Sequence, residues 1–263
     1  MSVSLLHLWH KRLANSIVLG LISFLLLNSC SPTKKENVIR VFAAASLGEV
    51  LRELGEKFEQ QKSIKLEFNF GSSGTLARQI AQGAKPDLYI SANKSWADYL
   101  LEEHIFIEDK IEKIAQNRLV LIAPKNKFQE KFEIDTSLSL VNILGKERLS
   151  IGDPRHVPAG QYARQALIHF GLYKEAEPHI LPGKDVRSAL MVVEMEEAAL
   201  GVVYRTDALR SKKVSILANF PQDSHEGIFY YAGLCNEGAT VKDFMSFLVS
   251  DKARTIWQGY GFE

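Results

Sequence analysis

Val41-Phe42-Ala43-Ala44-Ala45-Ser46-Leu47 reads as a strand that runs into a turn of small residues and then into a helix. Phe68-Asn69-Phe70-Gly71-Ser72-Ser73-Gly74 repeats that pattern, and each stretch puts a serine where the helix begins. The first amides of a helix have no intrahelical partner, and the helix dipole makes that end partly positive. Two such ends, each with a hydroxyl and no bulky side chain, form a clamp for a small anion.

Working outward, strand and helix alternate through the folded part, the pattern of an α/β protein with mostly parallel sheets. Val38 to Ala43 is the first strand, and Leu47, Val50, Leu51, Leu54 and Phe58 recur at helical spacing after it. The spacing predicts a strand through Leu66, Phe68 and Phe70, a helix from Thr75 to Gln82, a strand from Asp87 to Ser91 and a helix from Ser95 to Glu103. A second cycle starts with the strand Leu119 to Pro124 and continues with Leu149 to Gly152. The loop Asp153 to Gly160 then opens a helix striped by Tyr162, Ala166, Leu167 and Phe170. A helix from Asp185 to about Glu197 and strands at Leu200 to Tyr204 and Val214 to Ala218 come next. Phe229 to Leu234 and a terminal helix through Val241, Phe244, Met245 and Leu248 belong to neither cycle. The order of elements predicts two lobes, 38–118 plus 226–263 and 119–225, although no sequence repeat relates them.

The 263 residues are 46% hydrophobic and 24% charged, an ordinary globular composition, and the formal net charge is +1. Without long basic blocks, neither nucleic acid nor a membrane surface is an expected partner through charge. Residues 1–29 read as a leader. Lys11 and Arg12 precede an uncharged, mostly apolar run from Leu13 to Leu27, too short to span a bilayer comfortably. Leu27-Asn28-Ser29-Cys30 resembles a bacterial lipobox, which predicts lipidation of Cys30 and a polar tether to residue 37. Loss of the leader leaves 30 basic against 31 acidic residues. Cys235 is then the one other cysteine, so no internal disulfide is expected.

Ser46 is a helix N-cap or a ligand contact, and Ser73 offers a hydroxyl in a glycine-relaxed turn. Pro158-Ala159-Gly160 brings small residues to a third helix start. At a fourth, Asp185 is a candidate cap that leaves the Val186 amide for a ligand. Tyr204, at the end of a strand, is either a hydrogen-bond donor or an ordinary half-buried tyrosine. Catalytic patterns are thin. Neither H-E-x-x-H nor C-x-x-C occurs, and the turn at Ser73 lacks both the G-x-S-x-G elbow and a phosphate-loop lysine. A serine hydrolase would have to assemble Ser73, His156 and Asp153 or Asp207 without local support.

Taken together, seven stretches carry a resemblance. In the first half they are Val41 to Leu47, Phe70 to Ile80 and Pro86 to Ala92. In the second they are Gly152 to Ala163, Asp185 to Leu190, Leu200 to Ala208 and the closing Tyr260-Gly261-Phe262. In this order they resemble the molybdate-binding proteins of bacterial ABC importers. The resemblance implies a two-lobed periplasmic-binding-protein fold of the type II kind, with molybdate or tungstate held in the cleft between lobes. It implies hydroxyl contacts from Ser46, Ser73 and Tyr204 and backbone contacts from Ala159 and Val186, with no protein ligand directly on the metal and no cofactor. Gly74 stands where some members have a third serine, which predicts a looser loop. The implied partners are a membrane permease and its ATPase, and the implied state is a lipid-anchored, extracytoplasmic monomer without enzymatic activity. Sulfate is the rival ligand within the same fold, and the rivals from other classes are a serine hydrolase using Ser73 and a ligand-free interaction lipoprotein on a binding-protein scaffold.

Overall fold

β1 (Val38–Ala44) turns Ile39, Val41 and Ala43 into the core, and Ala44 ends it with no bulky side chain over the turn beyond. In this computed structural model, the residues described are 38–107, 111–125, 127, 128, 131, 133–135 and 138–263. The leader, Cys30 and the tether to residue 37 lie outside the described residues. A short 3-10 turn at Ala45–Leu47 leads into α1 (Gly48–Glu59). β2 (Lys65–Gly71), α2 (Ser73–Ala81), β3 (Leu88–Ser91), α3 (Lys94–Glu102) and β4 (Glu112–Gln116) complete the first run. The second comprises β5 (Leu119–Pro124), α4 (Leu140–Leu144), β6 (Leu149–Gly152), α5 (Pro158–His169) and α6 (Tyr173–Ala176). It goes on through β7 (Ile180–Gly183), α7 (Val186–Glu194), β8 (Leu200–Tyr204), α8 (Arg205–Arg210) and β9 (Val214–Asn219). β10 (Phe229–Leu234), α9 (Ala239–Leu248) and α10 (Asp251–Gly259) close the chain.

The strands form two five-stranded sheets, ordered β2-β1-β3-β10-β4 and β7-β6-β8-β5-β9. Each sheet is mixed, with four strands running one way and the fourth in order, β10 or β5, reversed. The reversed strand is the one that enters directly from the other sheet. An antiparallel partner needs no crossover helix, so a chain arriving by a short connection takes that direction. The two sheets repeat one order without a matching sequence, and β1 and β2 correspond to β6 and β7. The ends of these four strands carry Ser46, Ser73, Ala159 and Val186 into the helix starts. Ligands of open α/β sheets sit beyond the carboxyl ends of the strands.

The chain passes between the sheets twice, through Asn117 and Arg118 and again through 220–228. The passages lie side by side, since the Asn117 amide donates to the Ile228 carbonyl at 3.0 Å. Arg118 forks the Glu263 carboxylate at 2.6 and 3.0 Å, tying the chain's end to the same place.

Several elements differ from the sequence expectation. β7 carries Pro182, which fits because β7 is an edge strand whose outer side needs no amide donor. The terminal helix is two helices, α9 and α10, broken at Ser250, whose side chain caps the second through the Ala253 amide. Their apolar faces pack with α1. Cys235 is a free, half-buried thiol whose pKa burial pushes up to about 12. Among the described residues no helix is long and apolar enough to cross a membrane.

Candidate functional site

Ser46, Ser73, Ala159, Val186 and Tyr204 line one small cavity between the two sheets, together with Ser72, Asp185 and the backbone of Ala44 and Ala45. Its water-accessible volume is about 10 Å³, the space of a single water. The walls are buried and close. Ser73, Ala159 and Tyr204 are each about 1% exposed.

The three hydroxyls share a polarity. Tyr230 lies under Ser46 with its hydroxyl 2.8 Å from the Ser46 Oγ, and it accepts from the Asn117 side-chain amide at 3.0 Å. A phenol with an accepted bond from Asn117 can give its own proton to Ser46, an arrangement that leaves the Ser46 proton for the cavity. The Ser73 Oγ accepts from the Ala92 amide at 3.0 Å, which again leaves its proton unspent. The Tyr204 hydroxyl is fully buried and has no hydrogen-bond partner in the structure. Burial holds the Tyr204 and Tyr230 phenols above their ordinary pKa, so both keep their protons at neutral pH. Ser46 therefore is not the helix cap it resembles in sequence. It lies in the 3-10 turn, and no side-chain cap bond is made there.

Two backbone positions add donors. Val186 is the first residue of α7, and Asp185 spends its carboxylate on the Ser188 amide at 2.7 Å in a capping box. The Val186 amide has no partner within the helix. Ala159 is the second residue of α5, brought up against β6 by Gly160. A Cβ at Gly160 would sit 1.8 Å from the Gly152 carbonyl oxygen, so only glycine permits that approach. The lining thus includes three hydroxyls, and the helix starts at Ala159 and Val186 have amides without intrahelical partners. Asp185 is the one charged residue lining it, and its carboxylate is occupied.

Contacts between the halves surround this space. The Ser72 hydroxyl donates to the His156 carbonyl at 2.7 Å, and the Gly74 amide reaches the same oxygen at 3.2 Å. Asn93 donates to the Gln161 side chain at 2.7 Å, and Arg187 pairs with Glu49. The expected loosening at Gly74 is not found. Gly74 sits in the first turn of α2, where a Cβ would stand 2.5 Å from both the His156 carbonyl and the Trp96 ring. The hydrolase arrangement is not found either. Ser72, rather than Ser73, is beside His156, and its proton goes to a carbonyl. The Asp153 carboxylate is forked by Arg155, which lowers its pKa to about 2, and Asp207 lies elsewhere, against Arg187. No cluster of His, Cys, Asp or Glu able to hold a metal ion is present among the described residues.

Tyr230, Asn117, Glu49 and Arg187 escaped the sequence reading as site residues. Tyr230, Asn117 and Glu49 sit in an ordinary strand, passage and helix without a local motif, whereas Arg187 falls inside the stretch Asp185 to Leu190, where the sequence points only to the Val186 amide beside it.

Comparison with known proteins matches residues 39–263 to the family described as bacterial extracellular solute-binding protein. The molybdate-binding protein ModA of Escherichia coli K12 is 41% identical over 229 residues, spanning 86% of this chain and 89% of that one. YvgL of Bacillus subtilis, provisionally described as an ABC transporter substrate-binding lipoprotein, is 34% identical over 255 residues, or 93% of this chain and 96% of its own. Among solved structures, the periplasmic molybdate-binding protein of Azotobacter vinelandii superposes with a TM-score of 0.74 at 23% identity, covering 86% of this chain and 98% of that one. The two share the type II periplasmic-binding fold.

Proposed function

This chain belongs to the bacterial extracellular solute-binding proteins and is a homologue of the molybdate-binding proteins, and on that footing we propose that it captures molybdate or tungstate in the cavity between its sheets. It hands the oxyanion to the permease and ATPase of an ABC importer and performs no chemistry of its own.

The observation that carries this reading is the donor polarity of the site. Ser46, Ser73 and Tyr204 can each turn a proton to the cavity that has no other acceptor among the described residues once Tyr230 donates to Ser46, and the helix starts at Ala159 and Val186 add amides. A tetrahedral dianion supplies the missing acceptors. Hydrogen bonds to an ionised acceptor are roughly twice as strong as neutral ones, so fixed dipoles in a buried cleft hold it without a contacting lysine or arginine. Capture requires two lobes, 38–118 plus 226–263 and 119–225, to close about the ligand, whose tighter contacts in the closed form drive the motion. Cys30 carries a lipid that keeps the protein at the outer face of a membrane. The lipobox and the lipoprotein description of YvgL support this.

Isothermal titration of the mature protein with molybdate, tungstate, sulfate and phosphate tests the reading. Tight one-to-one binding of the first two, with sulfate and phosphate weak, is the expected result. Tight sulfate binding would keep the clamp and change its ligand, and heat from none of the four would overturn the proposal. Replacing Cys30 by serine is expected to release the protein from the membrane fraction.

A further inference from the structure

Glu49 and Arg187 sit beside the anion-contacting turns without lining the cavity. Glu49 is the second residue of α1, three after Ser46, and Arg187 is the second residue of α7, directly after Val186. α1 packs on the first sheet and α7 on the second, so their ion pair spans the cleft. The Arg187 guanidinium has a second acid on its inner side, with its Nε 3.1 Å from Asp207 Oδ1. The two carboxylates are unlike. Asp207 is 1% exposed and belongs to α8, on the same half as Arg187, whereas the Glu49 side chain is 39% exposed and belongs to the opposite half.

We propose that Arg187 is a positioning residue that latches the closed form, staying beside Asp207 throughout and engaging Glu49 only when the two halves meet. A guanidinium is rigid and planar, so an acid beside its Nε limits where its Nη2 can reach for a partner. Because each end of the pair is within three residues of an anion contact, the latch sets the spacing of the Ser46 hydroxyl and the Val186 amide. In the open form Glu49 is solvated and the pair contributes nothing. Its effect therefore falls on the lifetime of the closed complex rather than on encounter, as for partly desolvated charge pairs at interfaces.

This inference rests on the oxyanion reading, and the experiment separates the two. Stopped-flow kinetics with molybdate compares the unaltered chain with Glu49→Gln. The expected result is dissociation faster by about fivefold, with association within about twofold and the thermal midpoint of the ligand-free protein unchanged. Added salt is expected to speed dissociation of the unaltered chain and to have little effect on the variant. Arg187→Lys, which keeps the charge and loses the fork, is expected to dissociate faster as well. Arg187→Gln is made together with Asp207→Asn, so that no buried carboxylate loses its cation. Equal dissociation rates for the unaltered chain and Glu49→Gln would overturn the latch while leaving the site intact. A lowered ligand-free midpoint with no kinetic change would assign the pair a purely structural role. Absence of binding by the unaltered chain to any of the four oxyanions would remove the premise itself.

Discussion

Ser46, Ser73 and Tyr204 have the same task by different routes. Ser46 is oriented from beneath by Tyr230 and Asn117, Ser73 by the Ala92 amide, and Tyr204 by burial alone. Ser46→Ala, Ser73→Ala and Tyr204→Phe are each expected to weaken molybdate binding by about 1–3 kcal/mol, because each removes one donor to a buried anion. Titration calorimetry reads this directly, and unchanged affinity in all three would refute the site. Tyr204→Phe is also expected to leave the ligand-free protein at least as stable, since its hydroxyl is desolvated without a partner. All five proposed contacts were readable as helix starts or strand ends, because small residues and serine at such places are local signals. The hydroxyls' partners were not readable. Tyr230 lies 184 residues from Ser46, and nothing in Phe229 to Leu234 distinguishes the tyrosine that faces it.

At the scale of elements, the tightest meeting is between the first turn of α2 and the loop ahead of α5. The Gly74 amide and the Ser72 hydroxyl both donate to the His156 carbonyl, and no room is left for a Cβ. The Trp96 ring can swing, but the His156 carbonyl is main chain. Gly74→Ala is accordingly expected to hold the halves apart and weaken molybdate binding by about 1–3 kcal/mol, with a smaller effect on the ligand-free thermal midpoint. A loss confined to the ligand-free midpoint would contradict this. The sequence led to the opposite expectation, a loosened loop, because a glycine's neighbours in space are invisible to local reading. The same limit explains β7, where Pro182 masks an edge strand, and the reversal of β5 and β10, which depends on where the chain enters a sheet. Strongly periodic helices such as α1 were legible to within a residue or two, since one apolar face is enough to define them.

For the molecule as a whole, Asp207 links stability to pH. Burial pushes its carboxyl up to about 7 from the ordinary 3.8, with Arg187 opposing the shift and Asp185 adding to it. A raised acid binds its proton more tightly folded than unfolded. The contribution to stability is thus full below about pH 4 and is lost as the pH rises through about 7. Asp207→Asn, neutral at every pH, is expected to flatten that part of the fall in thermal midpoint between about pH 4 and pH 8. A parallel pH curve for variant and unaltered chain would show that the carboxyl does not titrate in this window. The two passages between the sheets have a different consequence. Lying side by side and bonded to each other, they put the proposed closure about a single line. Under the proposed capture the protein works as a calliper, in which the radius of the captured ion becomes an angle between the jaws. An ion too wide stops the jaws before the far contacts meet, and one too narrow leaves the donors out of reach. Size is read as residence time, so two oxyanions of like charge and shape would part company in how long each is kept.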